Sequence, residues 1–349
     1  MSEHIRPLLA KGRRKSLSLV QEEMVSFSPM FNDSAIPLLC QPTVPGVDLV
    51  TWAANNRELI EQKINQHAVI LFRGFAVRNI ETFNQCVDSI SGGALEYLFR
   101  ASPRTQINKR LNIYTSTDYP ADEKIFPHNE HSYSPIFPLH LYFYCDIPPG
   151  SRGETPLGDN RLILQRIDPD VREEFIYKDI LYVRNYGDGM GLAWQTVFQT
   201  DNHAEVEEYC KKIGIEPEWK PGNRLRTRQR GPAVVRHPHT KEVIWFNHAT
   251  FFNALTLPES IRESLYAEFS TEDLPQNTYF GDGSNIPDSH IRHLQSVYRS
   301  IMVEFPWQQG DVVLLDNILT VHARNEYSGP RKILTAMAIP LRSDDVAIQ

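Results

Sequence analysis

Two imidazoles and a carboxylate are the residues of this chain best suited to hold a redox metal. His128 and Glu130 flank one residue in Pro127-His128-Asn129-Glu130-His131-Ser132-Tyr133. On an extended strand or its edge both side chains point the same way, because alternate residues share a face. Near the far end of the chain, Asp316-Asn317-Ile318-Leu319-Thr320-Val321-His322 supplies a third donor. Two His and one carboxylate on one face of Fe(II) leave open positions for a chelating co-substrate and dioxygen. Taken singly, each is an ordinary surface or strand-end residue, and with 12 His in the chain the triplet needs its surroundings to carry weight.

Those surroundings include a cation in a useful place. His322 is followed by Arg324-Asn325-Glu326-Tyr327-Ser328-Gly329-Pro330-Arg331-Lys332 and then by the strand-like Ile333-Leu334-Thr335-Ala336-Met337-Ala338-Ile339. An Arg at the mouth of a strand can form a bidentate pair with a carboxylate while the upstream His holds the metal. Arg331 is the first choice for that pair, Arg324 the second. Lys332 points away if Arg331 points inward.

From about Val69 to Pro340 the sequence resembles the iron(II)- and 2-oxoglutarate-dependent dioxygenases of the taurine dioxygenase type. The likeness rests on His128 to Tyr133, Gly153-Glu154-Thr155-Pro156-Leu157, Arg184-Asn185-Tyr186-Gly187-Asp188-Gly189, Trp245-Phe246-Asn247-His248, Phe305-Pro306-Trp307-Gln308-Gln309-Gly310-Asp311 and the His322 to Arg331 block. It is nearest the branch that hydroxylates amino acids, often carrier-tethered, in nonribosomal peptide pathways, such as aspartate hydroxylases of the syringomycin type. The resemblance implies a mainly β fold with flanking helices, a double-stranded β-helix or jelly-roll of the cupin-like, clavaminate synthase-like kind. It implies Fe(II) on His128, Glu130 and His322, with 2-oxoglutarate and O2 as co-substrates. Arg331 and Thr155 would hold the distal carboxylate of 2-oxoglutarate, with Arg324 in reserve. The best-known members have Asp where this chain has Glu130, which is longer but still a hard oxygen ligand. A halogenase of the superfamily has a small residue there, so Glu130 argues against halogenation.

Further candidates surround the ligands. Asn129 faces away from its neighbours and orients their loop, while Tyr133 braces it or lines the substrate side. Asn247 and His248 end a buried strand, where polar residues often line a cleft. Arg224-Leu225-Arg226-Thr227-Arg228-Gln229-Arg230 places four Arg on one face if extended. Their plain reading is a solvated strand face; Arg228 is the one selected to clamp a substrate anion. Asn185 to Gly189 reads as a glycine-hinged covering loop, with Trp194 beside it.

Composition restricts the alternatives. With 36 basic and 43 acidic residues the formal charge is −7, against a nucleic-acid partner. Four dispersed Cys without C-x-x-C spacing read as reduced core residues of a cytoplasmic protein. No apolar run is long enough for a membrane span, and no signal-peptide core opens the chain. Residues 1–45, rich in Pro, read as an irregular arm, with Lys11, Arg13, Arg14 and Lys15 as a small basic cluster. Residues 46–345 read as one catalytic domain with insertions. Helices are expected over 59–64, 79–87 (capped by Asn79), 169–178, 204–212, 258–269 and 287–305, the last broken once. Strands are expected over 67–75, 139–145, 233–238, 242–247 and 311–316. Absence of a βαβ rhythm favours a closed or sandwiched antiparallel sheet.

The expected function is hydroxylation of an unactivated C–H of an amino-acid substrate, free or carrier-bound, with release of succinate and CO2. The same chemistry on a free carboxylate or sulfonate, or a desaturation or epoxidation outcome, stands as the alternative. A cupin-like binding protein without enzymatic activity is the remote one. Homo-oligomerisation is left open.

Overall fold

The computed structural model describes residues 24–96, 105–108, 110–116, 119–187 and 192–348. The basic cluster at 11–15 and the Asp188-Gly189 part of the expected covering loop lie outside these residues. Two β-layers form a jelly-roll. The larger has eight strands in the order Val25–Pro29, Leu38–Pro42, Val69–Phe72, Val312–Asp316, Ile136–Ile147, Lys332–Arg342, Ile113–Thr115, Gln106–Asn108. All its pairs are antiparallel except Leu38–Pro42 with Val69–Phe72. The smaller sheet carries Thr320–Arg324 between Ile125–His128 and Leu157–Asp159.

Strand alternation explains how one layer serves two cores. Along Ile136–Ile147, Phe137, Leu139, Leu141, Phe143 and Cys145 pack inward with Leu157, Ile318, Leu319, Phe305 and Trp307. Tyr142 and Tyr144 point the other way, under Trp52, Ile60, Ile64, Phe83 and Val87 of the helices Leu49–Asn55, Arg57–His67 and Ile80–Ser91. The third of these helices starts as expected, with the Asn79 side chain accepting the Thr82 N–H at 2.8 Å. All four cysteines are free and buried, and burial pushes the thiols of Cys86, Cys145 and Cys210 up to about 12.

Two expectations about elements are corrected. Residues 25–42 are not an irregular arm: both segments join the large sheet, with Pro29 and Pro42 at strand ends where a missing N–H is tolerated. The helix expected over 287–305 runs only Asp288–Ser300. Its continuation is taken into the smaller layer, where Val303 and Leu157 exchange backbone hydrogen bonds of 2.8 and 2.9 Å.

Arg73 fastens the end of an inner strand to the turn that opens Val312–Asp316. Its guanidinium donates to both Asp311 oxygens, at 2.9 and 2.6 Å, and to the Pro306 carbonyl at 2.8 Å. Both side chains are nearly inaccessible. Arg73→Met would strand a buried carboxylate, so we expect a loss of about 3 to 5 kcal/mol in denaturant unfolding. A change within about 0.5 kcal/mol would contradict this role.

Candidate metal and co-substrate site

His128 closes the strand Ile125–His128 and lies directly opposite His322 in the antiparallel ladder. Glu130 falls in the turn that follows rather than on the strand, and the left-handed backbone of His131 (φ 56°) bends the chain there. One donor atom from each of His128, Glu130 and His322 lies within 4.8 Å of the others, with His322 Nε2 3.9 Å from Glu130 Oε2. Glu130 and His322 are buried and His128 half-buried.

The donor set fits a divalent metal. The Phe126 carbonyl can only accept, so His128 Nδ1, 2.9 Å away, carries its ring proton and Nε2 keeps a lone pair. Phe251 (4.5 Å between ring centroids) covers His128, and Phe143 (5.2 Å) covers His322. Neither phenylalanine carries a sequence signal of its own.

Asn129 holds the loop, as expected for a residue facing away from its neighbours. Its amide donates to the carbonyls of Asn317 (2.5 Å) and Thr320 (2.8 Å). Asn317 reciprocates: its Oδ1 accepts the Glu130 N–H at 2.7 Å, and its amide donates to the carbonyls of Glu130 (2.8 Å) and Pro138 (2.9 Å). Asn317 was visible only as a neighbour of His322; its partners could not be read from spacing.

Arg331 faces a cavity lined also by Thr115, Ser116, Tyr119, Arg324 and Tyr327. It donates to the Gly153 carbonyl (3.0 Å) and to Ser116 Oγ (3.3 Å), and among the described residues no carboxylate pairs with it. Desolvation, then the neighbouring Arg324, lowers its pKa to about 10. The folded state therefore binds this proton less tightly than the unfolded chain. The charge works against stability at neutral pH, and that cost fades as pH rises through about 10. Gly153 is required here: it adopts φ 73°, and a Cβ would lie 2.8 Å from Tyr327 Cβ and 3.2 Å from Arg331 Cδ.

Thr155 is buried, and its hydroxyl accepts from Trp307 Nε1 at 3.3 Å, which leaves its proton to donate. Arg324 lines the same cavity, but its guanidinium donates to the carbonyls of Tyr119 (2.9 Å), Pro120 and Glu123 (2.7 Å) and staples that loop. Lys332 also lines this cavity, but its ammonium pairs with Asp146 at 2.8 Å.

His248 packs on His128 (5.8 Å), Tyr133 (5.0 Å) and Phe252 (4.6 Å), and its ring Nδ1 lies 2.6 Å from Ser132 Oγ. Burial, and then His128, hold its pKa well below 6.5, so it is neutral. Asn247 caps its own turn: it donates to the Ala233 carbonyl and accepts from the Ala249 N–H.

The remaining substrate candidates go elsewhere. Arg228 does lie on a strand, Arg224–Gly231, but cross-strand register puts it level with Val183 and Arg226 level with Asn185. The opposite face carries Tyr182, Arg184, Tyr186 and Thr227, and it is this face that meets Tyr133 and Phe252. Arg228 is thus turned away from the metal group and pairs with Glu218 at 2.7 Å. Arg226 pairs with Asp273 at 2.6 Å. Asn185 is in the strand Ile180–Tyr186 rather than a loop, tied to the Glu272 and Leu274 carbonyls. Trp194 belongs to a separate cluster with Val197, Val206, Cys210 and Leu225. The cation missed by sequence reading is Arg184, 5.6 Å over each of the Tyr133 and Phe252 rings. Its alternation with Tyr182 and Tyr186 was the available signal.

The family model for the taurine catabolism dioxygenase TauD, TfdA family matches residues 33–337. The chain belongs to this family. It is 34% identical over 305 residues to the dapdiamide synthesis protein DdaC of Enterobacter agglomerans, covering 85% of this chain and 92% of that one. A clavaminate synthase-like protein of Arabidopsis thaliana is 28% identical over 292 residues, with 80% and 84% coverage. Among solved structures, PvcB, an Fe, alpha-ketoglutarate dependent oxygenase from an isonitrile synthetic pathway, aligns with TM-score 0.55 at 16% identity, over 98% of both chains. A taurine dioxygenase from Burkholderia xenovorans gives TM-score 0.52 at 14% identity, over 93% of this chain and 95% of that one. The structural likenesses agree with the jelly-roll. As a member of this family the chain is a 2-oxoglutarate-dependent non-haem iron dioxygenase.

His128→Ala, Glu130→Ala and His322→Ala are each expected to abolish substrate oxidation and stoichiometric Fe(II) binding, and near-normal turnover under limiting iron in any of them would contradict the ligand set. Arg331→Gln should weaken 2-oxoglutarate binding by about 2 to 5 kcal/mol, roughly 30- to several-thousand-fold, because it removes a charge-assisted pair. The melting temperature of the ligand-free protein should hold or rise, since a poorly solvated charge is removed. Unchanged dependence on 2-oxoglutarate would transfer the role to Arg324. Thr155→Val should act in the same direction by about 1 to 2 kcal/mol.

Proposed function

We propose that this protein hydroxylates an unactivated C–H of an amino acid or amino-acid-derived substrate in secondary metabolism. The observation that carries the reading is a two-His, one-carboxylate cluster combined with a cavity whose half-buried Arg331 has no carboxylate partner among the described residues. When bound, iron and 2-oxoglutarate supply the oxidising power that the side chains of the protein lack. The protein's own residues supply position. His128, Glu130 and His322 hold one face of the metal, Arg331 and Thr155 receive the distal carboxylate, and Phe143 and Phe251 keep water from the ligand rings. Kinship with a dapdiamide synthesis protein at 34% identity supports an amino-acid-derived substrate, and leaves free and carrier-tethered forms to experiment.

On the substrate side the proposed polar contacts are Tyr133, His248 and Arg184. Neutral His248 suits a hydrogen bond rather than a charge, whereas Arg184 can meet a carboxylate on its aromatic bed. Arg228, in its ion pair with Glu218 on the opposite face, is not part of this wall.

The deciding experiment incubates the enzyme with Fe(II), 2-oxoglutarate and a panel of free and carrier-bound amino acids, read by mass spectrometry. A product heavier by one oxygen atom, formed with succinate, is expected; a product lighter by two hydrogens would replace hydroxylation by desaturation. Turnover of a sulfonate in preference to every amino acid would overturn the substrate class. Arg184→Gln should raise the substrate KM by roughly 10-fold or more and increase uncoupled 2-oxoglutarate decay, while Arg228→Gln leaves both unchanged. The reverse ranking would return the role to the arginine-rich strand.

A further inference from the structure

A buried pair behind the metal group has no place in the chemistry above. His237 follows the strand Val234–Arg236, and Asp316 ends Val312–Asp316. Both are essentially inaccessible, and His237 Nε2 lies 2.9 Å from Asp316 Oδ2. The proton can be placed: Nδ1 accepts the backbone N–H groups of Thr240 (3.0 Å) and His239 (3.3 Å), so the ring hydrogen is on Nε2 and is donated to Asp316.

The other oxygen of Asp316 accepts the N–H groups of Ile318 and Leu319, each at 2.9 Å. That fixes the turn of which Asn317 is part, and Asn317 grips both backbone groups of Glu130. The same turn leads into Thr320–Arg324, the strand that carries His322. Hydrogen bonds and the backbone of one turn therefore link His237 through Asp316 to Glu130, and the backbone alone continues to His322.

We propose that His237 is a positioning residue: its Nε2–H orients Asp316, and through the 316–319 turn sets the spacing between Glu130 and His322. A carboxylate freed from this donor could rotate and release the Ile318 and Leu319 N–H groups. Direct hydrogen-bond partners of metal ligands typically change metal affinity about 10- to 100-fold, and His237, one step further out, belongs at the low end of that range. The inference rests on the ligand assignment, and the unaltered protein separates the two: if it fails to bind Mn(II), the ligand reading falls first.

The test compares two variants that share the loss of the Nδ1 acceptor and differ in the donor. His237→Phe has no group to offer Asp316, whereas His237→Gln keeps an amide N–H at similar reach. Mn(II) binding is measured by equilibrium dialysis, with melting temperature in parallel. His237→Phe is expected to weaken Mn(II) by about 10-fold and His237→Gln to recover it to within about threefold. Equal Mn(II) affinity in the two variants, whether both normal or both weak, would reduce His237 to a packing residue. Should His237→Phe fail to fold, His237→Asn takes its place: its Oδ1 can still accept at the Nδ1 position but its amide is too short to donate to Asp316. Weakened Mn(II) binding is again expected, and an affinity equal to that of His237→Gln would contradict the proposal.

Discussion

The reciprocal amide clamp between Asn129 and Asn317 is the contact on which the site depends. The three ligands come from two segments near opposite ends of the domain, and nothing local holds them at metal-binding distance. Four hydrogen bonds between the 129–130 segment and 317–320 do so, with Asn317 also reaching Pro138 on the large sheet. Ladder pairing of His128 with His322 fixes two rings, and the clamp then brings the carboxylate of a turn residue to the same point. Because the clamp is buried, losing one partner would leave further polar groups without hydrogen bonds, which is costly away from water.

Charge is distributed by face. The protein is acidic overall, yet its most arginine-rich strand is neutralised locally by Glu218, Glu272 and Asp273. Arg331 differs: among the described residues its hydrogen-bond partners are neutral, and its pKa is depressed. An unneutralised guanidinium costs stability in the empty protein and is relieved by an incoming anion, which is how a binding site for a carboxylate should look.

Much of the site was legible in the sequence, because metal chemistry restricts donor types and strand alternation restricts spacing. His128, Glu130 and His322 needed only residue type, position and family likeness, and the structure brings these three donors together; Arg331 and Thr155 were singled out on the same likeness. Arg228 shows the limit. Alternation correctly placed it on a strand face, but which face meets the ligands depends on register with Ile180–Tyr186 and on packing against Tyr133, neither of which is local. Pro29 and Pro42 suggested a loose arm, yet strand ends tolerate proline and sheet pairing decided the outcome. The helix after Asp288 stopped at Ser300 because Val303 was recruited to pair with Leu157, a contact between distant segments.

The central claim is that one ligand bridges two distinct sites, a metal face and Arg331. Its most direct test is linkage: 2-oxoglutarate affinity by calorimetry with and without Mn(II), and Mn(II) affinity with and without 2-oxoglutarate. The account expects each to tighten the other because the two ligands touch, and linkage makes the two factors equal. Equal 2-oxoglutarate affinity in the presence and absence of Mn(II) would contradict it.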